Sequence, residues 1–429
     1  MTSSFQDGST SAEGALQAWV PRCLLQLPQR SKPAPVSQEG LTPAQISWRN
    51  GRLQQLELLS LDSAPPLLAL PRLVDPHVHL DKAFSWGDHP NLDGTYDGAL
   101  SANLQEHQSR SESVVLARGE RALERACSHG LRALRSHIDS LGPGAEPSWR
   151  ALRQLRQCWR GRIEVQLVAL VPLAHWQTPE GERLAAQVAG WGGVLGGVLA
   201  PPCGGSAVRR QLASLITLAE RFGCPVDLHI DEADRDPASG MKQLLRVLER
   251  FDCSQRITCS HASSLSLLSP ASLRKLAERM AAAGLQVVAL PLTNGWLLGR
   301  VPDSTPVQRP LAPIHQLQRC GVRVALGGDN VADPWFPGGD FDPLALMAAS
   351  IPLAQLAPWQ RLGLAPFTTA AAEAMELSWN GVLCEGAPAD LVVLKAGSWS
   401  DALRQPPQRR ILIEGSWWQP AGARPQRIG

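Results

Sequence analysis

The sequence predicts an α/β fold, a (β/α)₈ barrel of the TIM type with a small β-sandwich domain formed by both chain termini. Three observations predict it: eight short apolar runs, helix-like segments between most of them, and strand-like runs near both ends of the chain. Near-continuous apolar runs that alternate with helices are typical of a parallel sheet covered by helices. A count of eight favours a closed barrel over an open sheet.

The first part of the chain predicts a leader followed by a few strands. Residues 1–15 are rich in Ser, Gly and Thr without periodicity, which is typical of a disordered leader. Residues 16–70 contain short apolar runs broken by Pro, Gly, Asn and Ser, as in the strands of a small sheet. Strand-like runs return at 389–394 and 410–414. We therefore expect residues 380–429 to complete the small β domain.

The barrel is expected to occupy the middle of the chain, residues 71–379. Its predicted strands are 73–79, 132–138, 163–170, 193–199, 226–230, 257–260, 286–290 and 322–326. Amphipathic helical stretches, such as 111–129, 211–222 and 270–283, separate several of these strands.

Composition narrows the class of partner. The 41 Lys and Arg residues nearly balance the 39 Asp and Glu residues, and only 19% of residues are charged, which gives no electrostatic case for nucleic acid or a membrane surface. We therefore expect a small-molecule substrate, and the composition leaves a homo-oligomer open. Nine scattered cysteines without CxxC spacing, and no readable signal peptide, predict a cytoplasmic protein. The longest apolar stretch, near residues 188–202, is too short to span a bilayer.

One short motif sets the chemistry. The first barrel strand ends in His77-Val78-His79. Side chains on a strand alternate between its two faces, so both imidazoles point the same way and can bind one metal ion. Two ligands do not make a catalytic site for Zn²⁺ or Fe²⁺, so further ligands must come from elsewhere in the chain.

More polar side chains follow the ends of other predicted strands, where the active site of such a barrel lies. They are His137 and Asp139 at the second strand, His229 and Glu232 at the fifth, His261 at the sixth and Asp329 at the eighth. A single histidine in such a place is more often a structural residue. Five of the ten histidines at strand ends favour a metal site instead.

The motifs PHVHLD, LHIDE, SHAS and GGDNVADPWFP, in this order, resemble the amidohydrolase superfamily. Within it they are similar to the cytosine deaminase-like branch, which includes triazine-type aminohydrolases of N-heterocycles. The resemblance runs from about residue 46 to residue 418 and includes the segments PLTNGWLLGR and ADLVVLKAG. It implies a distorted barrel with a small β domain built from both termini.

The resemblance also implies a set of roles. It makes His77, His79, His229 and Asp329 the ligands of a divalent metal ion, Zn²⁺ or Fe²⁺. Glu232 matches the carboxylate that shuttles protons, and His261 matches the histidine that orients the attacking water. The fourth predicted strand contains no lysine, so the carbamylated bridging ligand of binuclear relatives cannot form there, and we expect one metal ion.

Other residues near the motifs have weaker assignments. Lys82 follows the pattern of some triazine-type relatives and is expected to reach the substrate, with a solvated lysine as the alternative. His137 ends the second strand and points into the mouth of the barrel, where it either lines the pocket or, as the pattern rather favours, is a structural histidine. Trp335 can stack on a flat ring. Asp75 and Asp81 are expected to brace a histidine or a turn.

Two departures from cytosine deaminase bear on the substrate. The chain after strand three reads Val171-Pro172-Leu173, where the resembled enzyme presents a glutamine to the pyrimidine. Asn330 follows the metal-binding aspartate, where that enzyme has a second aspartate. We therefore expect Asn330 to contact a ring whose donor and acceptor pattern differs from that of cytosine.

Three functions fit this reading of the sequence. The favoured one is a metal-dependent hydrolytic deaminase that releases ammonia from a cytosine-like or related N-heterocyclic substrate. The second is another amidohydrolase, which releases an alkylamine or opens a cyclic amide. The third is a catalytically inactive, ligand-binding barrel, and the presence of all four ligand matches together with Glu232 argues against it.

Overall fold

The computed structural model confirms the predicted fold class. It describes residues 13–27, 34–63, 65–251, 253–404 and 406–420. In this part of the chain, an eight-stranded parallel sheet forms the barrel and a separate seven-stranded mixed sheet is built from both termini. Residues 1–12 of the predicted leader lie outside the described residues, and residues 13–15 begin the first strand instead of belonging to a leader.

The described strands agree closely with the predicted ones. They are β1 (Glu13–Pro21), β2 (Leu41–Arg49), β3 (Arg52–Leu58), β4 (Leu68–Pro71), β5 (Leu73–Val78), β6 (Leu131–Asp139), β7 (Glu164–Leu170), β8 (Val194–Leu199), β9 (Val226–Ile230), β10 (Ile257–His261), β11 (Gln286–Ala289), β12 (Arg323–Leu326), β13 (Leu391–Leu394), β14 (Arg409–Ile413) and β15 (Ser416–Trp417). The eight barrel strands, β5 to β12, each begin and end within one residue of the prediction.

Thirteen α-helices complete the described part of the chain. They are α1 (Tyr96–Ser109), α2 (Glu112–Ser128), α3 (Ala145–Cys158), α4 (Pro179–Gly190), α5 (Gly205–Phe222), α6 (Ser239–Leu248), α7 (Pro270–Ala282), α8 (Pro291–Leu297), α9 (Ile314–Arg319), α10 (Pro343–Ala354), α11 (Arg361–Leu364), α12 (Thr369–Ala374) and α13 (Trp399–Arg404). Among the described helices, none combines the length and the apolar character that crossing a membrane requires.

The helices that the sequence predicted have clear local causes at their ends. Helix α2 begins after Ser111, whose hydroxyl accepts the Val114 N–H and so caps the first turn. Helix α5 ends at Gly223, whose φ of 65° is a left-handed conformation that glycine adopts without a steric penalty. These signals fix where the chain turns back toward the next barrel strand.

The barrel strands follow one another in chain order, each parallel to its neighbours. An isolated parallel bridge between Val78 and Asp329 links the first strand to the segment after the last one and closes the barrel. All eight carboxyl-terminal strand ends therefore meet at one rim, which places the predicted site residues together.

The terminal sheet has the strand order β15-β14-β13-β4-β1-β2-β3, so strands from the two chain ends lie side by side. Successive residues of β13 point to opposite faces: Val392 and Leu394 pack with the barrel core, whereas Leu391 and Val393 pack within the sheet's own core. The sheet is therefore attached to the barrel through an apolar face. The domain boundaries near residues 70 and 380 stay a prediction.

Candidate active site

Five imidazoles and one carboxylate meet at the carboxyl-terminal rim of the barrel. They belong to His77 and His79 at the end of β5, His137 of β6, His229 of β9, His261 of β10 and Asp329 just after β12. All six residues are at least 93% buried. The rim position follows from the parallel strand order, which brings side chains far apart in sequence to one place.

Asp329 lies directly against the two histidines of the first barrel strand. Its Oδ1 atom is 3.5 Å from His77 Nε2 and 3.3 Å from His79 Nε2. The Asp329 N–H donates to the His77 carbonyl oxygen at 2.9 Å. A Cβ atom on Gly327 would lie only 2.8 Å from that same oxygen, so the close approach of the two segments needs glycine there.

Many polar atoms of this cluster have no hydrogen-bond partner among the described residues. They are His77 Nε2, His79 Nδ1, both ring nitrogens of His137, His229 Nδ1, His261 Nε2 and both carboxylate oxygens of Asp329. A buried polar atom left unpaired costs about 1–3 kcal/mol of stability. A cluster of such atoms in one place therefore indicates that they bind a metal ion or a small molecule.

The same residues form two compact groups with metal-binding geometry. One group is His77, His137 and His229, and the other is His77, His261 and Asp329. Within each group, one potential ligand atom per residue lies within 4.8 Å of the others. Imidazole nitrogens and carboxylate oxygens are the ligands that Zn²⁺ and Fe²⁺ take in proteins, so the residues fit a divalent metal ion.

The predicted ligands all belong to this cluster, and His137 belongs to it as well. The His137 ring stacks on His77 with a centroid distance of 3.8 Å. This contact, together with its place in the first compact group, makes His137 a further candidate ligand, and its role in lining the pocket stays a prediction. The division of ligand roles among the imidazoles stays a prediction.

The protonation states suit a cation. Burial lowers the pKa of His77, His137 and His229 well below the usual imidazole value, and the neighbouring imidazoles add to this effect. Burial alone would raise the pKa of Asp329, but His79 and His261 beside it outweigh burial and the net shift is downward. Neutral imidazoles and an ionised carboxylate are the forms that bind metal.

Asn294 links the two predicted catalytic groups. Its Nδ2 atom is 3.4 Å from Glu232 Oε1 and 3.1 Å from His261 Nδ1. The hydroxyl of Ser263 donates to Asn294 Oδ1 at 2.7 Å, so the amide N–H groups face Glu232 and His261. Because His261 Nδ1 accepts from Asn294, the ring proton lies on Nε2. Asn294 lies in the quoted segment PLTNGWLLGR, but an amide has no distinctive sequence pattern and its role was not predicted.

Glu232 is buried beside His261 and Asn294. Its side chain is only 9% exposed. Burial, and after it the negative charge of Asp329, raises the pKa of Glu232 well above its usual value. A carboxyl group with a raised pKa exchanges protons more readily near neutral pH than an exposed one does.

Lys82 is not a solvated lysine. It is 2% exposed, and its Nζ atom lies 2.9 Å from Asp139 Oδ1. Asp139 also accepts from Arg110 at 3.3 Å, and Arg110 donates to Asp81 at 2.7 Å. Asp81 thus braces a buried ionic network, whereas Asp75 accepts the backbone N–H groups of His77 and Gly328. A contact between Lys82 and substrate stays a prediction.

Asn330 is engaged with the protein at both ends of its amide. Its Nδ2 donates to Asp333 Oδ2 at 2.8 Å, and its Oδ1 accepts from Thr293 at 3.4 Å. One amide proton and one lone pair remain for a substrate. Asp333 is fully buried, and burial raises its pKa to about 6. A carboxyl group therefore lies beside Asn330. The replacement of the second aspartate by Asn330 thus does not leave this position without a nearby acid, which the sequence pattern had not indicated.

An aromatic pair lies beside this loop. The ring of Tyr96, the first residue of α1, meets Trp335 edge to face with a centroid distance of 5.1 Å. Both rings pack against buried Ala99, Leu297 and Leu298. Burial raises the pKa of the Tyr96 hydroxyl, and the nearby carboxyl groups of Glu232 and Asp97 add to this effect. Tyr96 is the only tyrosine in the chain and was not predicted.

A cavity lies at the other end of the barrel. It has a volume of about 800 Å³ and is lined by residues at the amino-terminal strand ends, among them Arg132, Ile163 and Pro225. None of the predicted site residues lines it. The chemistry of the rim, and not cavity size, therefore identifies the candidate active site.

Comparisons with known proteins agree with the geometry. The family model described as the amidohydrolase family matches residues 196–418. Pterin deaminase of Rhizobium rhizogenes (strain K84) is 31% identical over 388 residues, which cover 88% of each chain. N-isopropylammelide isopropyl amidohydrolase of Pseudomonas sp. (strain ADP) is 24% identical over 356 residues, covering 81% of this chain and 84% of that protein.

A solved structure supports the fold independently. The structure of 5-methylcytosine deaminase from Klebsiella pneumoniae, liganded with phosphonocytosine, aligns with a TM-score of 0.79 at 24% identity. The alignment covers 95% of this chain and 99% of that chain. At this level of identity the likeness shows a shared fold.

Proposed function

The chain belongs to the amidohydrolase family, as its motifs predicted, and from this premise we propose that it is a metal-dependent deaminase that hydrolyses an amino-substituted N-heterocycle and releases ammonia. As a member of this family it is a hydrolase of carbon–nitrogen bonds. The observation that carries the proposal is the meeting of buried, unpartnered imidazoles with Asp329 beside Glu232 at the barrel rim.

We propose one divalent metal ion, Zn²⁺ or Fe²⁺, held by His77, His79, His229 and Asp329. Such borderline ligands suit both ions. Strand β8 reads VLGGVL and offers no lysine for a carbamylated bridge between two ions. When bound, an ion of this kind lowers the pKa of water to ~7 and so supplies hydroxide at neutral pH.

The catalytic groups of the chain would then divide the proton transfers. Glu232 would take one proton from the attacking water and deliver it to the ring nitrogen as the C–O bond forms. It would then take the second proton of that oxygen and deliver it to the departing amine, so that the C–N bond breaks, ammonia leaves and the ring keeps the oxygen. His261 donates from Nε2 and keeps the water in place, since Asn294 holds its Nδ1 atom as an acceptor. Burial of Glu232 and His261 excludes bulk water that would compete for these protons.

We propose that the substrate is an amino-substituted bicyclic ring of the pterin type in preference to cytosine. The relative with the higher identity reported above is a pterin deaminase. Val171 and Leu173, both nearly fully buried, offer no side-chain amide after β7. The Asn330–Asp333 pair presents a different pattern of donors and acceptors from a single aspartate. Tyr96 and Trp335, whose rings meet edge to face, are the aromatic groups that we propose contact the substrate ring.

A substrate panel tests this proposal. We expect the metal-loaded protein to release ammonia from pterin with a kcat/KM in the ~10⁴–10⁸ M⁻¹s⁻¹ range of physiological substrates. An unpaired buried polar group costs about 1–3 kcal/mol, so cytosine should bind roughly five- to two-hundredfold more weakly. The panel should include an N-alkylamino triazine, and chelator-treated protein is the control. A kcat/KM for cytosine equal to that for pterin would contradict the substrate assignment, and alkylamine release alone would favour the second class of hydrolase.

The aromatic pair makes a separate prediction. Tyr96→Ala should raise KM for a bicyclic substrate roughly two- to twelvefold, because an aromatic contact contributes about 0.5–1.5 kcal/mol. Tyr96→Phe keeps the ring and should stay near the unmodified protein. Trp359→Ala removes an aromatic ring that is 44% exposed and has no proposed role in the site, and it serves as the control. An unchanged KM in Tyr96→Ala would show that Tyr96 does not contact the substrate.

A further inference from the structure

A chain of short hydrogen bonds runs from the barrel interior to the first metal-ligand candidate. Arg135 donates from a terminal nitrogen to Asp227 Oδ2 at 2.8 Å. Asp227 Oδ1 accepts the hydroxyl of Ser260 at 2.8 Å, and Ser260 Oγ lies 2.8 Å from His77 Nδ1. All four residues are at least 98% buried. The catalytic and metal-binding roles proposed above do not use Arg135, Asp227 or Ser260, so this series of hydrogen bonds needs an explanation of its own.

The direction of the protons in this chain follows from its end groups. Arg135 can only donate and so takes Asp227 Oδ2 as its acceptor, while the single hydroxyl proton of Ser260 points to Asp227 Oδ1. Ser260 then has only lone pairs to offer His77. Therefore His77 carries its proton on Nδ1, and its Nε2 atom has a free lone pair. That Nε2 atom is the one that faces Asp329 at 3.5 Å.

The barrel geometry explains why these residues can meet. Arg135 and Asp227 each stand two residues before a histidine of the cluster on the same strand, so they point into the barrel one layer below it. Arg135 is itself fixed by Gln166 at 3.0 Å and by the Ala374 carbonyl at 3.1 Å. A buried carboxylate needs such a counter-charge, and the pair anchors Ser260 rigidly.

The other cluster histidines lack an equivalent support. His79 Nδ1, His229 Nδ1 and both nitrogens of His137 have no hydrogen-bond partner among the described residues. Asn294 donates to His261 Nδ1, so the proton of this ring lies on Nε2. A protonated Nε2 can donate a hydrogen bond to water but cannot bind a metal ion. Within the described part of the site, His77 is therefore the imidazole whose tautomer is fixed by hydrogen bonds in the form that binds metal. Ser260 accepts its Nδ1 proton, so that Nε2 keeps the lone pair that can bind metal.

We propose that Ser260, held by Asp227 and Arg135, is a positioning residue that fixes the tautomer and orientation of His77 for metal binding. This inference rests on the proposed function, since it takes His77 as a ligand. Hydrogen bonds to the second nitrogen of a metal-binding imidazole typically change metal affinity by about 10- to 100-fold. Removal of the Ser260 hydroxyl should therefore weaken metal binding without removing a ligand.

The test measures metal affinity in the absence of substrate. Zn²⁺ dissociation constants and dissociation rates of the full chain are determined by competition with a chromogenic chelator. We expect Ser260→Ala to weaken Zn²⁺ binding about 10- to 100-fold. Ser260→Thr restores a hydroxyl and should recover most of the affinity. Ser264→Ala is the matched control, because Ser264 is equally buried, lies four residues further along the chain and caps the Ala238 N–H.

Each outcome bears on the inference. Equal affinities of Ser260→Ala and the unmodified chain would overturn it while leaving the proposed function intact. Equal losses in Ser260→Ala and Ser264→Ala, or in Ser260→Ala and Ser260→Thr, would assign the effect to packing and also overturn it. If Ser260→Ala fails to fold, Ser260→Cys keeps the volume with a poorer acceptor and takes its place under the same criteria. An unmodified chain that binds no divalent ion would overturn both this inference and the proposed function.

Discussion

Replacement of His229 by alanine is expected to remove bound metal and activity together. His229 comes from β9, opposite the His77 and His79 pair of β5, and its side chain belongs to the compact group with His77. Without it, the remaining groups no longer surround an ion in a closed arrangement, so metal content should fall below about a tenth of an equivalent per chain. Elemental analysis of the purified variant, together with ammonia release, measures both effects.

Two variants show whether the loss is specific. His175→Ala removes a histidine that lies after β7, outside the cluster, and should keep its full metal content. His137→Ala separates the predicted ligand set from an alternative in which His137 binds in place of His79. The variant should keep its metal under the predicted set and lose it under the alternative. A full equivalent of metal in His229→Ala would show that the predicted ligand set is wrong.

Much of this site could be predicted because its residues stand at strand ends. The barrel strands are buried on both faces, so they read as apolar runs, and the end of each run marks the rim. His77, His229 and Asp329 each follow such a run closely, and a local pattern was therefore sufficient to place them together. The first glycine of the GGD motif, in contrast, has its reason in the fold, because only glycine allows the close approach of residue 327 to His77.

The supporting residues could not be predicted for a physical reason. The role of Ser260 depends on a contact with His77 across 183 residues of sequence, and that of Asp227 on a contact with Arg135 across 92. A hydroxyl or an amide has no pattern of its own, and its function is set by whatever partner the fold brings near. The same holds for Lys82, whose burial against Asp139 depends on a contact across 57 residues.

The second large effect is expected at Glu232, which should be needed for turnover but not for metal. Glutamine has nearly the same shape as glutamate and its carbonyl oxygen can still accept from Asn294, so the pocket should stay intact. The amide cannot take a proton from water or return it to the ring. General acid–base groups of this kind typically contribute ~10²–10⁴ in rate, and kcat of Glu232→Gln should fall by that factor.

The measurement combines metal analysis with steady-state kinetics on one preparation. Glu249→Gln is the matched control, because Glu249 lies at the surface in an ion pair with Arg279 and plays no part at the rim. It should keep both metal and rate. In Glu232→Gln, retained metal with a kcat about 10²–10⁴ lower would assign proton transfer to this carboxyl group. Retained metal with less than about a tenfold loss would remove Glu232 from the mechanism and leave His261 as the proton carrier beside the ion.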